Sequence, residues 1–197
     1  MASAVMENLV KHLQKLPGVG PRSAERIAFH LLRETSDDVF QLADAIRDVK
    51  QKLTHCSVCY NLSDIDPCPI CRSERRDPSV VCVVEQPRDL ETIEATGAYN
   101  GVYHVLLGHL APMEGIGPEH LTISQLVDRV KKGGINEIIM ATNPTLEGDG
   151  TALHIAELLS SLGVKVTRLA RGVAVGSQLE YTSKATLADA IEERRAI

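Results

Sequence analysis

The chain has 197 residues, 44% hydrophobic and 24% charged, with two Phe, four Tyr and no Trp. That length and mix suit a soluble globular protein: one good domain, or a core with small attachments, built on Leu, Val, Ile and Ala. No apolar run is long enough to cross a bilayer, and residues 1–7 lack the charged and apolar regions of a signal peptide. The expected compartment is therefore the cytoplasm, where cysteines serve as metal ligands or buried thiols rather than disulfides.

The net charge of −5 argues mildly against nucleic acid as a partner until its distribution is read. Residues 1–35 hold five basic and three acidic residues, an excess of +2, whereas residues 79–197 hold ten basic and fifteen acidic ones. Such a chain can meet DNA only through its head. One head would bind weakly and with strong salt sensitivity, and several on an oligomer would bind better through effective concentration.

The first segment, to about residue 54, is helical. Leu9, Val10, Leu13 and Leu16 recur at helical spacing, Pro17-Gly18-Val19-Gly20-Pro21 breaks the pattern, and Ala24, Ile27, Ala28, Leu31 and Leu32 resume it. A third amphipathic run, with Val39, Leu42, Ala43, Ile46, Val49 and Leu53, follows Ser36 as the expected N-cap. Between the first two helices, Gly18 and Gly20 permit a tight turn and clear side chains from the space above it. The amides opening the second helix then point at a phosphate oxygen, with Arg22, Arg26 and Lys15 beside them. This resembles the helix-hairpin-helix motif, which grips the DNA backbone without reading sequence; the alternative is a plain corner between two helices.

Residues 55–77 are short, turn-rich and carry Cys56-x2-Cys59 and Cys68-x2-Cys71. Each pair wraps one side of a metal, and four protein ligands close a tetrahedral, structural Zn²⁺ site. A segment this polar orders itself only with the binding energy of the metal. His55 reads as a bystander and Cys82 as a buried thiol. Arg72, Arg75 and Arg76, interleaved with Glu74 and Asp77, read as an ordinary solvated loop.

From residue 79 the pattern alternates. Strands are predicted at 80–84, 102–107, 135–141 and 164–169, with helices near 88–95, 123–132 and 150–162. The expected fold class is thus α/β: an N-terminal helical hairpin, a small four-cysteine finger, a mostly parallel sheet covered by helices on both faces, and a short C-terminal region. Glu85 falls at the carboxyl edge of the first strand, where such sheets place their sites. The third strand runs out into Asn143-Pro144-Thr145-Leu146-Glu147-Gly148-Asp149-Gly150. This layout resembles the Toprim domain of topoisomerases and primases, in which a Glu and a later Asp-x-Asp bind Mg²⁺. Asn143 and Thr145 stand where the two aspartates would be, leaving Glu85, Glu147 and Asp149 as a residual acidic site short of negative charge. The expectation is a Toprim scaffold without an enzyme's chemistry; the alternative is a Mg²⁺-dependent nuclease or primase-like enzyme resting on those three acids.

Hairpin, finger and degraded Toprim domain, in that order, resemble the RecR family of recombination mediators over essentially the whole chain. The run 103–110, the loop 113–118, the run 141–148 and the late Gly172-Val173-Ala174-Val175-Gly176 add to the resemblance. It implies domains at 1–54, 55–77 and 79–174 and an assembly region at 175–197. It also implies bacterial repair at gapped DNA with RecO and RecF, help in loading RecA, and homo-oligomers that are dimers or ring-like tetramers. Ala174, Ser177 and Ser183 depart from the family's usual Pro, Gly and acidic residue, loosening that loop and arguing against a nucleotide role there.

Overall fold

A computed structural model describes residues 3–194 of the chain. The chain divides into two compact units, Met1–Leu53 and Thr54–Ile197.

The first unit contains α1 (Ala4–Leu13), α2 (Pro21–Arg33) and α3 (Ser36–Lys52). Val10 of α1 packs on Ala24 and Ala28 of α2, with Met6, Leu9, Leu13 and Val19 closing the contact. The two alanines leave no side chain to hold the helices apart. Gly18 turns the chain at φ +78°, a region that penalises any residue with a β-carbon. α3 is capped by Thr35 rather than by Ser36: Thr35 Oγ1 accepts from the Asp38 amide at 3.2 Å and donates to the Asp38 carboxylate at 2.6 Å. Either hydroxyl is chemically able to cap, and the reciprocal bond to Asp38 decides between them. The apolar run of α3 forms its helix but buries no residue within the unit.

The second unit opens with the finger, in which β1 (Thr54–His55) pairs antiparallel with β2 (Leu62–Ser63) and is followed by α4 (Pro69–Arg72). The α/β body contains β3 (Asp77–Val84), α5 (Pro87–Glu94), β4 (Gly101–Val105), α6 (Ile123–Lys131), β5 (Glu137–Met140), α7 (Leu146–Leu159), β6 (Lys165–Arg168) and α8 (Lys184–Glu192). The sheet order is β4-β3-β5-β6 and every pairing is parallel. Side chains alternate along β3, so Val81 and Val83 join the core with α6 and α7, whereas Cys82 and Val84 join Leu90 of α5 on the opposite face. That second face is also covered by Tyr60 and Ile70 of the finger. Cys82 is buried, which pushes its thiol up to about 12.

Two predicted starts shift. β3 begins at Asp77 because Asp77 already pairs with Gly101 before an irregularity in register. α7 begins at Leu146 rather than near residue 150 because Thr145 Oγ1 caps the Gly148 amide at 3.1 Å. The chain crosses from β3 to β4 on one side and later to β5 on the other, so the carboxyl end of β3 is the topological switch point. In the late loop, the Ser177 amide and hydroxyl both bond the Ala174 carbonyl, and Ser183 caps α8 through the Thr186 amide. The expected assembly region 175–197 runs past the described residues, since 195–197 lie outside them.

Candidate functional site

The hairpin places its predicted residues on one exposed end. Gly20 is the N-cap of α2 and offers no side chain to its first amides, while Pro21 at the first helical position has no N–H. The Ala24 amide is spent on the Gly20 carbonyl. Among the described residues the Arg22 and Ser23 amides have no acceptor and remain as the positive end of the helix. Lys15, Arg22 and Arg26 are exposed, and none of them makes an ion pair among the described residues. Several other arginines are paired, Arg47 on Asp44, Arg168 on Glu193 and Arg171 on Asp149, whereas Arg33, Arg75 and Arg88 make no ion pair among the described residues.

In the finger, the sulfur atoms of Cys56, Cys59, Cys68 and Cys71 all lie within 4.8 Å of one another. No other group of three or more His, Cys, Asp or Glu gathers this way among the described residues. The Cys68 amide points at Cys56 Sγ at 3.3 Å, as it would toward a thiolate. Hydrogen bonding from Cys71 holds Cys59 down at about 6, whereas burial raises Cys68 to about 11, and the Cys59 contact drives Cys71 higher still. Four crowded sulfurs share few negative charges on their own; a dication is what lets all four ionise. Asp66 accepts from the Ser57 amide at 2.7 Å and fixes the first knuckle, and Arg72 donates to the Asp66 carbonyl at 2.9 Å. His55 turns to the Tyr60 carbonyl at 3.1 Å, away from the cluster.

The finger is fastened to the sheet. The Val105 amide on the free edge of β4 donates to the Cys59 carbonyl at 2.8 Å, and Tyr60 stands edge-on to His104 with ring centres 5.4 Å apart. Arg129 of α6 donates to the Tyr103 carbonyl on the same edge at 2.7 Å. An otherwise open edge strand is thereby covered. Arg76 is not in a solvated loop. It grips Glu94 of α5 through both terminal nitrogens, and the carboxylate also accepts from Tyr103 at 2.6 Å. The Arg76 guanidinium holds Glu94 below the usual carboxylate range. Its partner lies eighteen positions along the chain, which no local charge pattern reveals.

At the carboxyl end of β3, Glu85 is only 3% exposed. It accepts from the Asn143 backbone amide at 2.8 Å, from Asn143 Nδ2 at 2.8 Å and from His109 Nδ1 at 3.1 Å. Gly148 makes room for this arrangement: a β-carbon there would collide with the Asn143 carbonyl and stand 2.9 Å from Glu85 Oε1. Thr145, the second altered position, caps α7. The two other predicted acids do not join Glu85. Asp149 sits in the first turn of α7 bound to Arg171, and Glu147 is exposed on the same turn. An aspartate at 143 would face Glu85 with like charge and require a cation between them, whereas the amide supplies donors instead. His109 lies within the run 103–110 that marks the family resemblance, but its pairing with Glu85 had no signal in spacing.

A family model described as RecR, helix-hairpin-helix, matches residues 6–50. One described as a RecR zinc finger domain of the four-cysteine type matches residues 53–73, and a Toprim domain model matches residues 79–170. The chain is 52% identical over 195 residues to recombination protein RecR of Rhodopirellula baltica, covering 99% of this chain and 98% of that one. It is 52% identical over 192 residues to the protein of the same name from Koribacter versatilis, with 98% and 96% covered. To that of Thermobifida fusca it is 48% identical over 197 residues, with 100% and 99% covered.

Proposed function

The chain belongs to the RecR family of recombination proteins, and from that premise we propose that it is a non-enzymatic DNA clamp and adaptor of the cytoplasm. It grips the DNA backbone through Lys15, the turn at Gly18 and Gly20, Arg22 and Arg26, and it works with RecO and RecF to help load RecA at gapped DNA. The observation that carries this reading is the open end of α2, with two free amides and three unpaired cations around it. Such a grip fixes position without base readout.

The cysteine cluster supports one structural Zn²⁺ per chain, held by Cys56, Cys59, Cys68 and Cys71. With no open position, that ion would supply folding energy and no chemistry. Glu85 supports the non-enzymatic reading, because donors from Asn143 and His109 occupy both of its oxygens. Homo-oligomers, as dimers or ring-like tetramers, are supported by the uncovered apolar side chains of α3, Phe40 at 65% and Ile46 at 62% exposure. No helix among the described residues is long and apolar enough to cross a membrane.

The test is equilibrium binding of the full-length protein to gapped DNA at low salt. Arg22→Ala with Arg26→Ala is expected to weaken binding at least tenfold, because each chain then neutralises two fewer phosphates. Unchanged affinity would refute the hairpin assignment; retention of RecO without any DNA binding would make the chain an interaction module instead.

A further inference from the structure

The cationic residues of α2 do not stop at the hairpin. Arg22, Arg26, His30 and Arg33 follow one another at steps of four, four and three, which keeps the three arginines within a ~40° sector of the helix surface. Ala24 and Ala28, the buried residues of α2, lie on the opposite side. Between Arg26 and Arg33 the surface dips into a shallow hollow of about 340 Å³ lined by Arg26, Ile27, His30 and Arg33.

We propose that the DNA backbone follows this stripe along the whole of α2, with Arg33 as a second phosphate anchor roughly 16 Å from the hairpin. The proposal rests on reading the hairpin as a DNA grip and extends it. Arg33 donates Nε to the Phe29 carbonyl at 3.2 Å. That bond lays the side chain along the helix and leaves both terminal nitrogens unspent, since no carboxylate pairs with Arg33 among the described residues. His30 is engaged with Glu34 at 3.3 Å and contributes a flank of the hollow rather than a free cation. A guanidinium that only neutralised the negative end of the helix would need no further cations in line with it. The alignment with Arg26 and Arg22 makes a track, with phosphate as its fitting ligand.

The test is the salt dependence of binding, measured on the full-length protein with labelled gapped DNA by fluorescence anisotropy between 50 and 200 mM salt, on the order of the range over which phosphate binding is resolved. Arg33→Ala is expected to flatten the plot of log K against log salt by about one for each chain engaged, as Arg22→Ala does, and Arg33→Lys is expected to restore the slope. If Arg22→Ala flattens the plot while Arg33→Ala overlays the parent, the track ends at the hairpin and the proposal fails alone. If neither variant changes it, the hairpin reading fails as well. Arg47→Ala, which removes a paired arginine of α3, should leave the slope unchanged; an equal flattening there would reduce the effect to bulk charge and overturn the proposal.

Discussion

Asn143 stands where a metal-binding Toprim sheet would carry an aspartate. Its backbone and side-chain amides both donate to Glu85, with His109 as a third partner. Asn143→Asp should cost about 2–4 kcal/mol in chelator, from a lost charged hydrogen bond and like-charge repulsion. Mg²⁺ or Mn²⁺ should recover part of that loss, while the parent's melting temperature stays indifferent to either ion. A parent that itself melts higher in Mg²⁺ would contradict this. His104 sets the acid limit of the sheet. It donates Nε2–H to the Thr122 carbonyl at 3.0 Å, its Nδ1 has no partner among the described residues, and burial with Arg129 nearby depresses it to about 4. Tyr60, Thr122 and Arg129 are the groups around it. The unfolded chain, at about 6.5, takes up the proton first, so stability falls as pH drops below that value and goes on falling toward pH 4. Urea midpoints should show about 2 kcal/mol lost between pH 7 and 5, and His104→Gln should flatten that slope; an equally steep variant would assign it to other groups. Glu85 and the altered Asn143 were legible in the sequence because a strand end and a motif mark them. The contact between them was not, since it spans fifty-eight positions.

At the scale of elements, the finger braces the sheet edge as well as gathering the four cysteines. The Cys59 carbonyl and the Tyr60 ring place the first knuckle directly on β4. Removing the metal should therefore speed hydrogen exchange at the Val105 amide as well as across residues 54–73, by roughly tenfold or more. Cys56→Ser should yield an insoluble or protease-sensitive protein. Metal analysis far below one zinc per chain, or a Val105 amide indifferent to chelation, would remove the brace. The finger was legible because ligand spacing is local and chemically narrow. The strands were legible because buried parallel strands read as apolar runs, as residues 80–84 within β3 do. Local pattern failed where the deciding partner is distant, as for Arg76, or where glycines disguise a helix start. Gly148 and Gly150 weaken the helical signal of α7, and the reason for Gly148, close approach to Asn143, exists only in the folded chain.

For the whole molecule, the mildly basic first 35 residues, with an excess of +2, and the uncovered face of α3 belong to one question. A weak grip becomes useful when several are carried together. Ile46→Glu with Phe40→Ser should reduce the sedimenting mass and weaken DNA binding together, although neither residue belongs to the predicted grip; a variant that dissociates but binds as before would uncouple them. The most direct test of a clamp without chemistry is to incubate the zinc-loaded protein with supercoiled plasmid and gapped DNA in Mg²⁺ or Mn²⁺, then resolve the recovered strands under denaturing conditions. Bound DNA recovered intact in every lane is the expected result. Nicking that copurifies with the protein and vanishes in Glu85→Gln would mean that the Toprim site is catalytic and that Asn143 does not silence it.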